Sequence, residues 1–169
     1  PMAIQLGSVE SLLFQSDIGR FGTVFEDPNL FYQLVNGSTA DSDMPPATLA
    51  GEELGFLKQI ASSSIQYSKV IQECAAKGKI NMTYPSSNLS RQLQIVSKLI
   101  SGGIETPIFL TTIGGFDTHA NQLTQHANLW KTISEAVTAF QTDLENMNLA
   151  DSVSVVTFSE FGRTVKQNG

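Results

Sequence analysis

An α/β fold with a mainly parallel sheet is predicted by three features of the chain. Residues 107–113 and 153–158 are short, apolar, β-branched runs of the kind buried on both faces of a parallel sheet. Between them, residues 121–147 repeat apolar positions every three or four residues, which marks a helix. Strand, helix and strand at this length make a βαβ unit, whose strands are parallel and whose crossover is right-handed.

The elements follow in order. Met2-Ala3-Ile4-Gln5-Leu6-Gly7 alternates apolar and polar residues and stops at glycine, as a short strand does. Residues 8–46 have little sustained period. Gly19, Gly22, Pro28, Gly37, Pro45 and Pro46 punctuate them, and Phe14, Phe21, Phe25, Phe31 and Tyr32 are spread between. This predicts a loop-rich segment anchored by phenylalanines, with a short helix over 28–35 that starts at Pro28. A long helix is predicted over 46–76 from the stripe Leu54, Leu57, Ile60, Ile65, Ser68, Ile71 and Ala75, with Gly78 ending it. A second is predicted over 89–101 from Leu89, Leu93, Val96 and Leu99, ended by Gly102-Gly103. The stripe of the third is Leu123, His126, Trp130, Ile133, Val137, Phe140, Leu144 and Met147.

A chain of 169 residues with 41% hydrophobic and 15% charged residues can bury a core as one domain. Within it, residues 1–46 form a strand and a loop-rich segment, 47–103 a helical pair, and 107–169 the βαβ unit. The net charge of −6, with scattered Lys and Arg, argues against nucleic acid and anionic membranes as partners. No apolar run reaches the length of a membrane span and no signal peptide is visible. The lone cysteine, Cys74, lies near a helical apolar face and reads as a small buried hydrophobe. Because the first residue is Pro1, the chain is expected to be a processed or excised piece.

In a βαβ unit the loops that leave the two strands open on the same sheet edge, where ligands bind in open α/β sheets. The first loop carries Gly114-Gly115-Phe116-Asp117-Thr118-His119 and the second Ser159-Glu160-Phe161-Gly162-Arg163-Thr164. Asp117 and His119 would share a face of an extended segment and supply a carboxylate and an imidazole to a Zn²⁺ or Mn²⁺ ion. Alternatively, Asp117 or Thr118 caps the next helix and His119 is a polar loop residue. His126 reads either as a core histidine or as a ligand or neighbour of that pair. Glu160 suits a metal ligand or general base, and Arg163 an anion clamp; the bland alternative is a Glu160–Arg163 ion pair. Ser159 lacks the glycine elbow of a hydrolase nucleophile, since Thr157 stands in its place. Nucleotide-binding glycine motifs are absent. Asp117, His119, His126 and Glu160 would make a one-metal site or half of a two-metal one.

Three segments carry a resemblance: the run from Gly114 to Gln122, His126-Ala127-Asn128-Leu129, and Phe158-Ser159-Glu160-Phe161-Gly162-Arg163-Thr164. They resemble the bacterial domain-of-unknown-function family 1501, grouped with sulfatase-like proteins of the alkaline phosphatase superfamily. The likeness extends to Tyr84-Pro85, to Arg91-Gln92-Leu93-Gln94-Ile95-Val96 and to Ala3-Ile4-Gln5-Leu6-Gly7. The resemblance implies a three-layer α/β/α fold, incomplete at both ends here, and a metal-dependent hydrolase of phosphate or sulfate esters. It implies Asp117 and His119 as metal ligands, Glu160 at the position of the relatives' strand-end aspartate, and a small anionic ester as substrate; His126 is read beside them as a ligand or a neighbour of one. The metal would be Zn²⁺ or Mn²⁺, with Ca²⁺ or Mg²⁺ as further options. It also implies a periplasmic or secreted parent, whose nucleophile and Asp-His segment lie outside this chain, so the chain alone is expected to lack turnover. Phe161 departs from the superfamily pattern and removes one potential ligand. The other reading is a non-catalytic exported binding or assembly module on the same scaffold.

Overall fold

The structure, a computed structural model, describes residues 2–9, 11–17, 19–36, 48–118 and 121–159. In chain order the elements are β1 (Ala3–Leu6), β2 (Gln15–Ser16), β3 (Gly19–Arg20), β4 (Gly22–Phe25), α1 (Pro28–Asn36), α2 (Leu49–Lys77), α3 (Asn88–Ser101), β5 (Ile108–Leu110) and α4 (Gln122–Asn146). Short 3₁₀ turns cover Leu12–Phe14 and Ala150–Ser152. The fold is α/β, with an open sheet in the order β4-β1-β5 and β2 and β3 in a separate hairpin. Both sheet pairings are parallel: Ile4 stands opposite Thr23 on one side and Phe109 on the other. The three strands therefore end on one edge, and the chain leaving β5 opens there.

The central place of β1 explains why all four of its residues are buried, where alternation alone predicts a half-solvated strand. Gln5 tolerates burial because its amide closes the next loop. Its Nε2 donates to the Val9 carbonyl at 2.6 Å, and its Oε1 accepts from the Ser11 N–H at 2.8 Å. The loop-rich reading of residues 8–46 is too sparse, since it lacks the hairpin and β4. Gly22 hides β4 in the sequence, because glycine in a strand reads as a break. It is there for packing: a Cβ on Gly22 would stand 2.6 Å from the Phe14 ring. Phenylalanine anchoring is observed, with Phe14 edge-on to Phe21 and Phe25 stacked on Phe31 at 5.3 Å. α1 starts at Pro28 as predicted, and the Asp27 carboxylate caps it by accepting from the N–H groups of Asn29 and Leu30.

The three long helices lie within about three residues of their predicted bounds. Ser87 caps α3 by accepting from the Ser90 N–H. Gly103 takes φ +84, the left-handed turn that ends the helix. Ile71, Cys74 and Ala75 of α2, Leu89, Leu93, Val96 and Leu99 of α3, and Ala136, Phe140 and Leu144 of α4 close one core with Ile4, Leu6 and Phe25. Cys74 is buried there, as expected. Among the described residues no helix is long and apolar enough to cross a membrane.

At the far end of α4 the core holds a polar knot. Asp143 is fully buried. It accepts from the Asn81 N–H at 2.7 Å, the Tyr84 hydroxyl at 2.9 Å and the Ser97 hydroxyl at 2.6 Å. Burial pushes the Tyr84 phenol above the ordinary tyrosine range; the Ser97 hydroxyl opposes this and the Asp143 carboxylate reinforces it. A raised folded pKa means that this residue's contribution to stability is whole below about pH 10 and fades as pH rises further. We expect the urea midpoint to fall above that pH more steeply in the wild type than in Tyr84→Phe; parallel curves would refute the linkage.

Two expectations need correction. Residues 153–158 carry no strand pairing, and residues 153–159 have no regular secondary structure. The second strand of the βαβ unit is therefore not formed among the described residues. The α4 stripe packs against the core only from Ile133 onward: Leu123 is 90% exposed and Trp130 50%. The two departures have one physical origin. A crossover helix buries its stripe against the two strands it joins, and here one of the two is missing.

Candidate functional site

The site is built on the chain that leaves β5. Gln92 of α3, itself buried, acts as a substitute strand neighbour for this segment. Its amide nitrogen donates to the Thr112 carbonyl at 3.0 Å, and its amide oxygen accepts from the Thr112 N–H at 2.9 Å. Gly115 then takes φ +95, a conformation that L side chains rarely adopt. A tight turn, with the Thr118 N–H donating to the Phe116 carbonyl at 2.9 Å, follows and presents Asp117 at the surface.

α4 begins immediately beyond. Its N-cap is Asn121, at φ +53 and without a side-chain capping bond. The N-cap position is thus not occupied by Asp117 or Thr118. Phe116 reaches across to the first two turns. Its ring lies 5.9 Å from the His126 ring and 6.2 Å from the Trp130 ring, edge-on to both. The Trp130 Nε1–H donates to His126 Nε2 at 3.1 Å. His126 is exposed, which removes the core-histidine reading. It is held one helical turn from Trp130 and against the loop that bears Asp117.

This ring cluster was missed in the sequence. The available signal was the four-residue step from His126 to Trp130, which places both on one helix face. That Phe116 would join them depends on the path of the loop. Gly115 of the loop also lines an open recess of about 280 Å³ with Gln125, Asn128, Leu129 and Thr132 of α4.

The structure thus brings together the Asp117 loop and His126. His119, Glu160 and Arg163 lie outside the described residues. Ser159 is exposed at the end of the unpaired run. Among the described residues no three His, Cys, Asp or Glu side chains cluster to hold a metal ion. The described donors are one carboxylate and one imidazole, fewer than the three protein ligands of a catalytic zinc centre. The imidazole also has Nε2 engaged by Trp130, so Nδ1 is the nitrogen that carries the proton in its neutral form. Ligation through Nε2 requires breaking that bond.

A comparison with curated proteins and with solved structures finds no match. The likeness read in Tyr84-Pro85 and in Ala3-Ile4-Gln5-Leu6-Gly7 lies outside the residues that the family model matches. Residues 91–169, which contain most of α3, all of β5 and α4 and every candidate site residue, match the family model described as Protein of unknown function (DUF1501).

Proposed function

We propose that the chain is part of an exported, metal-dependent hydrolase of phosphate or sulfate esters, on a bacterial sulfatase-like scaffold of the alkaline phosphatase superfamily. The observation that carries the reading is the position of Asp117 on the loop leaving β5, at the C-terminal edge of a parallel sheet, with His126 packed against the same loop through Phe116. Asp117 and His119 are the proposed ligands of a Zn²⁺ or Mn²⁺ ion, with Glu160 as a further ligand or general base. His126 is a ligand, or orients one through its ring contacts. Arg163 would grip the ester oxyanion through its two-pronged guanidinium. A divalent ion there would neutralise developing charge and acidify a water molecule. The periplasm or the exterior is the proposed compartment.

Calorimetric titration of the chain with Mn²⁺ and Zn²⁺ tests this. We expect saturable binding that Asp117→Ala weakens at least about tenfold, with quenching or a shift of Trp130 emission if His126 takes part. Binding that is equal in wild type and Asp117→Ala, or no binding of either ion, would sink the metal site. The chain alone should not turn over 4-nitrophenyl phosphate or sulfate.

One observation favours the second reading, a non-catalytic exported binding or assembly module. His126 already spends Nε2 on Trp130, as a structural histidine does. Altered Trp130 emission on His126→Gln, together with no metal uptake by the wild type, would support that reading.

A further inference from the structure

We propose that the recess between Gly115 and α4 is a binding site for one neutral, hydroxyl-rich ring, a single sugar unit. The site stands apart from the metal reading above and needs no ion.

The recess has a built shape. Gln125, Asn128, Leu129 and Thr132 recur at helical spacing and so share one face of α4 over two turns. The chain leaving β5 makes the facing wall. Gly115, at φ +95, brings bare backbone over this face, where a Cβ would stand 3.5 Å from the Leu129 side chain. The five residues border an open space of about 280 Å³. That is just under the roughly 300–1,000 Å³ of sites for drug-sized molecules, room for one ring and not for a chain of them.

The sequence of this face argues for a ligand. Toward the middle of α4 the face continues through Ala136, Ala139 and Asp143, all buried. Toward the helix start it turns to Thr132, Asn128 and Gln125, which carry a hydroxyl and two amides. A face kept only for a core would stay apolar. Each amide sets a donor beside an acceptor, the pattern that two adjacent hydroxyl groups match. The Thr132 hydroxyl donates to the Asn128 backbone carbonyl at 3.0 Å, which leaves its oxygen to accept. Leu129, half-buried, offers an apolar patch to the C–H face of a ring.

Charge excludes the other small ligands. Among the described residues no charged side chain lines the recess. From Gln122 to Trp130 the helix holds no Lys, Arg, Asp or Glu, and the next two charges, Lys131 and Glu135, pair with each other at 3.8 Å. Nor is this an anion site at a helix start. The unpaired N–H groups there belong to the first residues, and the Gln125 N–H is already bonded to the Asn121 carbonyl at 3.1 Å. A peptide asks for an extended groove or strand edge, which a recess of this size does not provide.

Nuclear magnetic resonance titration of the ¹⁵N-labelled chain, with chelator present, tests the proposal. The probes are glucose, galactose and N-acetylglucosamine to decimolar concentration, with glycylglycine and sodium sulfate beside them. At least one sugar should shift the side-chain amide signals of Gln125 and Asn128 saturably. Gln125→Ala, Asn128→Ala and Thr132→Val should each weaken that binding by about threefold to tenfold, the effect of losing one neutral hydrogen bond. The remaining backbone signals report that each variant is folded. No response to any of the three sugars overturns the proposal. A tighter response of the same signals to glycylglycine or to sulfate overturns the sugar assignment in favour of a peptide or an anion. The chelator keeps every one of these results independent of the metal reading.

Discussion

Asp143→Ala is expected to destabilise the protein by about 3–5 kcal/mol, a large share of the stability of an ordinary domain. The side chain is fully buried and receives three hydrogen bonds, from Asn81, Tyr84 and Ser97. Alanine removes the acceptor and leaves three donors facing a void. Each buried donor without a partner costs its desolvation. Asp143→Asn keeps one acceptor oxygen but turns an amide N–H₂ toward a donor, so its loss should be intermediate. The effect reaches the candidate site because Asp143 pins α4 to α3 and to the connector that carries Asn81 and Tyr84. With that pin removed, the helix that presents His126 loses its fixed seat. Urea unfolding measures this; a loss below about 1 kcal/mol would show that the knot is replaceable by simple packing.

Gly78→Ala and Gly102→Ala are each expected to cost about 2–4 kcal/mol. The reason is close approach of backbones, not a special dihedral, since neither glycine has a positive φ. A Cβ on Gly78 would stand 1.9 Å from the Lys98 carbonyl oxygen, and one on Gly102 would stand 2.0 Å from that of Cys74. The arrangement is reciprocal. Cys74 also accepts the Gly78 N–H, and Lys98 the Gly102 N–H. The ends of α2 and α3 are therefore locked against one another, and either methyl group forces the helices apart. The double variant should cost less than the sum of the two, because the first displacement makes room for the second methyl. A wild-type thermal midpoint in either single variant would refute the lock.

Much of this fold was legible. The three long helices announce themselves because their apolar positions recur every three or four residues over many turns, so local errors average out. β1 and β5 were visible as short apolar runs ended by turn residues. β4 was not, since Gly22 breaks its pattern to make room for the Phe14 ring, a contact between residues of different elements. Gly78 was correctly placed as the end of α2 but for a different reason: its neighbour across space, Lys98, cannot be seen from local sequence.

The candidate site divides in the same way. Sequence spacing placed Asp117 and His126 at the two ends of one strand-to-helix connection. The structure then places His126 against Trp130 and Phe116 at the surface and not in the core.

By itself, the sequence determined the α/β class, the helix bounds and the loop that carries Asp117. Each of these is local or follows from chain connectivity. The sheet is parallel as expected, but through β1 with β4 and β5 and not through the strand expected at 153–158. The tertiary structure alone decided which apolar stripes are covered. Leu144 and Leu123 lie on the same stripe of α4 and look equivalent in the sequence; Leu144 is buried and Leu123 is 90% exposed. Burial belongs to the partner surface as much as to the residue, and beneath the first turns of α4 the described structure supplies no strand.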